Sequence, residues 1–147
     1  MFTKILCPTD LSENSLTAVR FAVDLARRCQ ARLFLLNVHE EFMSKEEMVM
    51  LRVSVDHFKE ITAKRAVTSK EIMEKELEKV SGMDIDHELV LRQGKPDKAI
   101  LETAEEFGCD LIIITTTGRD SLGEKILGST AEHIIRYSEI PVLTIRV

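Results

Sequence analysis

Two near-continuous apolar runs, ARLFLLNV at 31–38 and CDLIIITTT at 109–117, constrain this chain more than any other feature. Each is too short for an independent helix, and neither alternates between apolar and polar residues. That is the pattern of a strand covered on both faces, as in a parallel sheet. FTKILCPTD adds a third run, stopped by Pro8, and PVLTIRV, opened by Pro141, adds a last one. MDIDHELVL reads as a weaker strand in which Ile85, His87, Leu89 and Leu91 share one side.

Between the runs the period changes from strand to helix. From Ser12, a good N-cap residue, Leu16, Val19, Val23 and Ala26 recur at helical spacing, with Arg20, Asp24, Arg27 and Arg28 mainly opposite. Residues 44–81 contain neither Gly nor Pro up to Ser81 and carry Met48, Leu51, Val55, Phe58, Ile61, Ile72, Met73, Leu77 and Val80 at mixed three- and four-residue steps. The economical reading is one long helix, broken near 63–68. Gly94 and Pro96 open another helix through Ile100, Leu101, Ala104 and Phe107, which Gly108 ends. The last helix runs on Ala131, Ile134 and Ile135.

Strand and helix alternating in this way, over 147 residues, predict one α/β domain spanning 1–147. Its architecture is a single doubly wound, Rossmann-like, five-stranded parallel sheet with right-handed crossovers and helices on both faces. A net charge of −5 gives no bulk attraction to nucleic acid or to an anionic membrane, so an anionic ligand has to be held locally. The opening MFTKILCPTD has no apolar run after a basic start, and no window reaches the roughly 18 apolar residues of a membrane span. Cys7, Cys29 and Cys109 are widely spaced, with no C-x-x-C pair, and read as structural thiols in a reducing compartment. The expectation is a cytoplasmic protein.

In an open parallel sheet a ligand sits beyond the C-terminal ends of the strands, where neighbouring crossovers leave for opposite faces. The polar, loop-like strand ends here are PTDLS after the first strand and TTTGRDSLG after the fourth. Gly118 allows close backbone approach, and Gly128, Ser129 and Thr130 can present N–H groups at the start of the last helix, where the helix end favours an anion. Arg119 or Lys125 supplies neutralising charge. The same residues also serve a purely structural role, with Ser129 or Thr130 capping a helix and Gly118 ending a strand.

ILCPTDLSENSLTAV, LLNVHE, GKPDKAILETAEEFGCDLIII and, most specifically, GRDSLGEKILGSTAEHIIRYSEIPVLTIRV together resemble the universal stress protein family over essentially the whole chain. The resemblance implies a sheet of the adenine-nucleotide α-hydrolase type, strand order 3-2-1-4-5. Nucleotide-binding members carry G-x2-G-x9-G-S/T, which Gly118, Gly128 and Ser129 match here, while Thr115 stands where the first glycine belongs. By the same resemblance Asp10 is the acid after the first strand, Pro8, Thr9 and Val38 line the adenine and ribose, and Thr130 offers a further phosphate contact. The implied cofactor is ATP, with Mg²⁺ near Asp10, or else AMP or ADP. The implied function is a homodimeric, nucleotide-dependent stress or signalling switch, paired through the edge strand at 141–147 and acting on a protein partner.

Other chemistry finds little support. His39, His57, His87 and His133 lack zinc-site spacing, and Ser12, Ser15 and Ser129 lack a G-x-S-x-G elbow. Neither S-G-G-x-D-S nor H-x-G-H appears, which disfavours an adenylyl-transferring or pyrophosphate-splitting enzyme. No general base for rapid ATP hydrolysis stands out; slow hydrolysis is the most this chain is expected to support. Asp10 is also placed to cap the first helix, SKEIMEKELEK at 69–79 reads as an exposed charged face, and Met43, Met48 and Met50 read as core packing or an apolar cover near the nucleotide. The alternative reading, kept open by Thr115, is a nucleotide-free stress protein that works through protein contacts alone.

Overall fold

The computed structural model describes residues 1–40, 45–117 and 127–147. The elements run β1 (Lys4–Pro8), α1 (Glu13–Cys29), β2 (Arg32–His39), α2 (Lys45–Met50), α3 (Val55–Lys79), β3 (His87–Gln93), α4 (Pro96–Phe107), β4 (Leu111–Thr115), α5 (Ser129–Tyr137) and β5 (Val142–Ile145). All strand pairs are parallel, as the apolar runs predict, and the order is β3-β2-β1-β4-β5, as the resemblance implies.

Each strand of the sheet's centre feeds two cores. Ile5 and Cys7 of β1, Leu33 and Leu35 of β2 and Ile113 of β4 face one side, packed with Val19, Ala22 and Val23 of α1 and Met73 and Leu77 of α3. Leu6, Phe34, Leu36, Ile112 and Ile114 face the other, packed with Ile100 and Ala104 of α4 and Ala131 and Ile134 of α5. This is why the runs read as continuously apolar: successive side chains point to opposite faces, and both faces are covered. Fully burying such a side chain is worth about 1.5 to 3 kcal/mol.

The helix ends follow local chemistry. Ser12 caps α1, accepting from the Ser15 N–H, and Gly108 ends α4 at φ 67°, a left-handed conformation in which a Cβ would be strained. Gly82 sits where the exit from α3 meets α1, and a Cβ there would lie 2.8 Å from Val23 Cγ2.

Three expectations need correction. The break in the 44–81 region falls at 51–54, not 63–68: Arg52 takes φ 53° and Ser54 caps α3 through the His57 N–H, so the chain stops and restarts there. Ile135 is exposed rather than part of the α5 core stripe, because the helix meets the sheet along Ala131 and Ile134. Met50 is exposed on α2 and Met48 half-buried, so neither joins the core; Met43 lies outside the described residues.

Candidate functional site

The sheet reverses its direction of winding at β1 and β4. The crossover through α1 leaves β1 on one face and α4 enters β4 from the other, so the two C-terminal ends form the cleft where this class of sheet holds ligands.

After β1 the chain makes a tight, heavily bonded loop. Pro8 ends the strand beside Leu36, and the Thr9 N–H donates to the Leu36 carbonyl at 2.7 Å, extending the ladder by one residue. The Thr9 carbonyl accepts from buried Asn37 Nδ2 at 2.9 Å. Asp10 Oδ1 accepts from the Ser12 N–H at 3.0 Å, from the Ser12 hydroxyl and from the Ser15 hydroxyl at 2.9 Å. Leu11 is held at φ 67°, unusual for a side chain of its size, with its N–H donated to Thr9 Oγ1 at 3.1 Å. Strain of this kind costs on the order of 1 to 3 kcal/mol and persists where the surroundings over-determine it. Asp10 therefore does not cap α1 directly; it braces Ser12, which does.

Thr9 is buried, and its hydroxyl points into the protein. Oγ1 lies 3.0 and 3.1 Å from the two carboxylate oxygens of Glu76 on α3 and 3.0 Å from Ser15 Oγ. Burial raises the Glu76 carboxyl to about 7, with Asp10 adding to the rise and the Thr9 hydroxyl and Lys79 opposing it. Cys7, fully buried and near the same carboxylate, has its thiol pushed far above the usual range by burial and then by Glu76, which makes it an inert packing residue.

The β4 side supplies the other half. Thr115 ends the strand half-buried, with its hydroxyl donated back to the Thr117 carbonyl at 2.9 Å. The Gly128 N–H donates to the Thr116 carbonyl at 2.7 Å, which returns the chain to the end of β4 as α5 begins. Gly128 is the N-cap of α5, at φ −63°, and has no side chain to cap the first turn formed by Ser129, Thr130 and Ala131. Ser129 is exposed and Thr130 half-buried at that helix end. Val38, near the end of β2, packs half-buried on the α4–α5 side. Gly118, Arg119 and Lys125 lie outside the described residues.

The structure thus brings Pro8, Thr9, Asp10, Thr115, Gly128, Ser129 and Thr130 to the ends of β1 and β4, with Val38 on the neighbouring strand. Thr9 is buried there, its hydroxyl turned to Glu76 and Ser15. Sequence reasoning missed Asn37, Ser15 and Glu76. Glu76 in particular contradicts the reading of 69–79 as an exposed charged face, because Ser69, Met73, Glu76 and Leu77 form the buried stripe of α3. Asn37 could have been found as the one amide inside an otherwise apolar strand run.

A cavity of about 300 Å³ lies elsewhere, at the ends of β2 and β3 under α3, lined by His39, Thr62, Arg65, Ala66, Leu91, Arg92 and Gln93. Two of its polar side chains are engaged: His39 Nε2 meets Ser69 Oγ at 2.9 Å and the Arg92 guanidinium bonds Glu106. Burial, then Arg65, lowers the His39 pKa. The cleft at β1 and β4, selected by topology, remains the candidate site. Among the described residues no group of three or more His, Cys, Asp or Glu is arranged to hold a metal ion.

The universal stress protein family model matches residues 1–146. The chain belongs to the universal stress protein family. Universal stress protein YxiE of Bacillus subtilis is 32% identical over 148 residues, covering 99% of this chain and all of the relative. Universal stress protein MJ0577 of Methanocaldococcus jannaschii is 33% identical over 158 residues, covering 99% and 96%. The solved structure of MJ0577 superposes with a TM-score of 0.81 at 27% identity, over 100% of this chain and 97% of that one. A universal stress protein in complex with cAMP superposes at TM-score 0.72 and 20% identity, covering 99% and 97%. The Archaeoglobus fulgidus protein in complex with dAMP does so at 0.66 and 19%, covering 97% of each chain.

Proposed function

We propose that this family member is a small adenine-nucleotide-binding stress or signalling module, a switch in which a bound nucleotide such as ATP alters a surface read by a protein partner. The observation that carries this reading is the pairing of two anchored loops at one cleft. On one side stands Asp10, braced by Ser12 and Ser15; on the other is the first turn of α5, begun by a glycine without a capping side chain and tied to β4 through Thr116. The carboxylate can accept from ribose hydroxyls, and the helix end can donate to phosphate. Complexes of similarly folded stress proteins with cAMP and dAMP support the adenine nucleotide class.

Thr115 is compatible with this reading because its hydroxyl turns onto the Thr117 carbonyl within its own loop. Residues Pro8, Val38, Gly118, Arg119, Ser129 and Thr130 complete the proposed lining, with Mg²⁺ accompanying the phosphates. We assign the chain to the cytoplasm, where its three free cysteines stay reduced, and to a homodimer paired through β5, whose outer edge no other strand covers among the described residues. The test is mass spectrometry of small molecules released when the gently purified protein is denatured. An adenine nucleotide near one per chain supports the proposal. If none is released, and none binds when ATP, ADP, AMP and cAMP are added back, the nucleotide-free alternative takes its place.

A further inference from the structure

Glu76 is a buried carboxyl with no cation bonded to it among the described residues; the Thr9 hydroxyl lies within hydrogen-bond distance of both its oxygens. From there three oxygens run in contact to the site acid: Glu76 to Thr9 Oγ1 at 3.0 Å, Thr9 Oγ1 to Ser15 Oγ at 3.0 Å, and Ser15 Oγ to Asp10 Oδ1 at 2.9 Å. Each hydroxyl carries one proton, so the chain has a direction.

With Glu76 ionised, Thr9 donates to it, and a Thr9–Ser15 hydrogen bond forms only if Ser15 turns its proton toward Thr9 and away from its two other acceptors, Asp10 Oδ1 and the Ser12 carbonyl, each at 2.9 Å. With Glu76 protonated, the carboxyl donates to Thr9, Thr9 donates to Ser15, and the Ser15 proton is released to Asp10 Oδ1, which it shares with the Ser12 carbonyl. The Leu11 N–H is accepted by Thr9 Oγ1 in both arrangements. The two arrangements differ in whether the Ser15 proton is available to Asp10.

We propose that Glu76 is a positioning residue for the Asp10 loop, its protonation state setting the direction of the Thr9–Ser15 hydroxyl chain and thereby the readiness of Asp10 to accept a hydrogen bond from a ligand. The consequence for ligand affinity rests on the nucleotide reading; the consequence for the loop does not. The other titratable groups acting on Glu76 are Cys7 from β1, Asp10 from the loop and Lys79 from α3 itself. Cys7, its thiol pushed up by burial, stays protonated at neutral pH. Ser15 is what α1 contributes to the cluster, and the β3 residues packed on this face include Leu89 and Leu91. The carboxyl's position near 7 places the reversal within the neutral range.

The experiment follows the Leu11 and Ser12 amide resonances by NMR between about pH 5.5 and 8.5 in the nucleotide-free wild type, in Glu76→Gln and in Thr9→Val. Wild type is expected to titrate with a midpoint near 7. Glu76→Gln, which keeps shape and hydrogen bonding, is expected to remove that titration. Thr9→Val, which cuts the chain without emptying the site, is expected to flatten the Ser12 resonance while the Glu76 carboxyl still titrates. Loop resonances that do not move, or that move equally in Glu76→Gln, overturn the proposal. In the same samples cAMP, whose single phosphate charge does not change in this range, is expected to bind wild type about three- to tenfold more tightly at the high-pH end, the effect of one hydrogen bond. Glu76→Gln is expected to show no such ratio. If the amides titrate as expected but cAMP, ATP and AMP bind at no pH, the positioning role stands and the nucleotide reading falls.

Discussion

Replacing Glu76 with Gln should make the protein more stable at alkaline pH, and the size of the gain follows from the carboxyl's surroundings. Glu76 is about 5% exposed, and burial raises it from an ordinary 4.5 to about 7. A carboxyl that binds its proton more tightly folded than unfolded makes the folded state the better proton binder between those two values. The stability it contributes is therefore complete below the unfolded value and is lost as pH rises through the folded one. At 1.36 kcal/mol per pKa unit the gap corresponds to roughly 3 kcal/mol. About 2 to 3 kcal/mol of that is lost between about pH 5 and about pH 8.5. Gln carries no charge at either pH, and its amide can both donate to and accept from Thr9 Oγ1. Urea unfolding of both proteins at the two pH values should show the variant gaining about 2 to 3 kcal/mol on wild type as pH rises. A wild-type-to-variant difference that does not depend on pH would refute the reasoning, since it would place the ionised carboxylate in a site as well solvated as water.

Other consequences are equally measurable. Asn37→Leu keeps the volume but leaves the buried Thr9 carbonyl without its donor; it should cost about 1 to 3 kcal/mol in urea unfolding and speed amide exchange at Leu11 and Ser12, and an unchanged stability would show that water replaces the amide. Gly82→Ala forces a methyl to within 2.8 Å of Val23 Cγ2 and 3.2 Å of Leu77 Cδ2; a loss of about 1 to 3 kcal/mol is expected, and a neutral result would mean the α1–α3 seam opens without strain. Ile145→Lys places a charge on the edge strand proposed to pair two copies and should give a folded monomer on sedimentation; a dimer of undiminished stability would move the interface elsewhere.

Much of the fold was legible because the strands of a two-layer-covered sheet have to be apolar on both faces, and ARLFLLNV and CDLIIITTT state that directly. Pro8, Ser12, Pro96 and Gly108 mark element ends by backbone chemistry that needs no tertiary context. The break at 51–54 was harder to read. It depends on Arg52 adopting a left-handed backbone and on a serine cap, while the exposed apolar residues Val49, Met50 and Leu51 continue the helical pattern straight through it. At the site, the strand ends and the residues on them followed from topology and motif. The supporting shell did not, because Glu76 reads as one charge among many in 69–79 until the stripe of Ser69, Met73 and Leu77 shows which side of α3 meets the sheet. Leu11 at φ 67° has no sequence signature at all, since glycine or asparagine would be the expected residue there.

The central claim is that the cleft between the Asp10 loop and the start of α5 takes an adenine nucleotide despite Thr115. Calorimetric titration of ATP with Mg²⁺ into nucleotide-free wild type and Thr115→Gly tests it most directly. Saturable binding of about one ATP per chain in both proteins is the predicted result. No binding by wild type, with binding restored in Thr115→Gly, would contradict it and leave this chain a stress protein that acts without nucleotide.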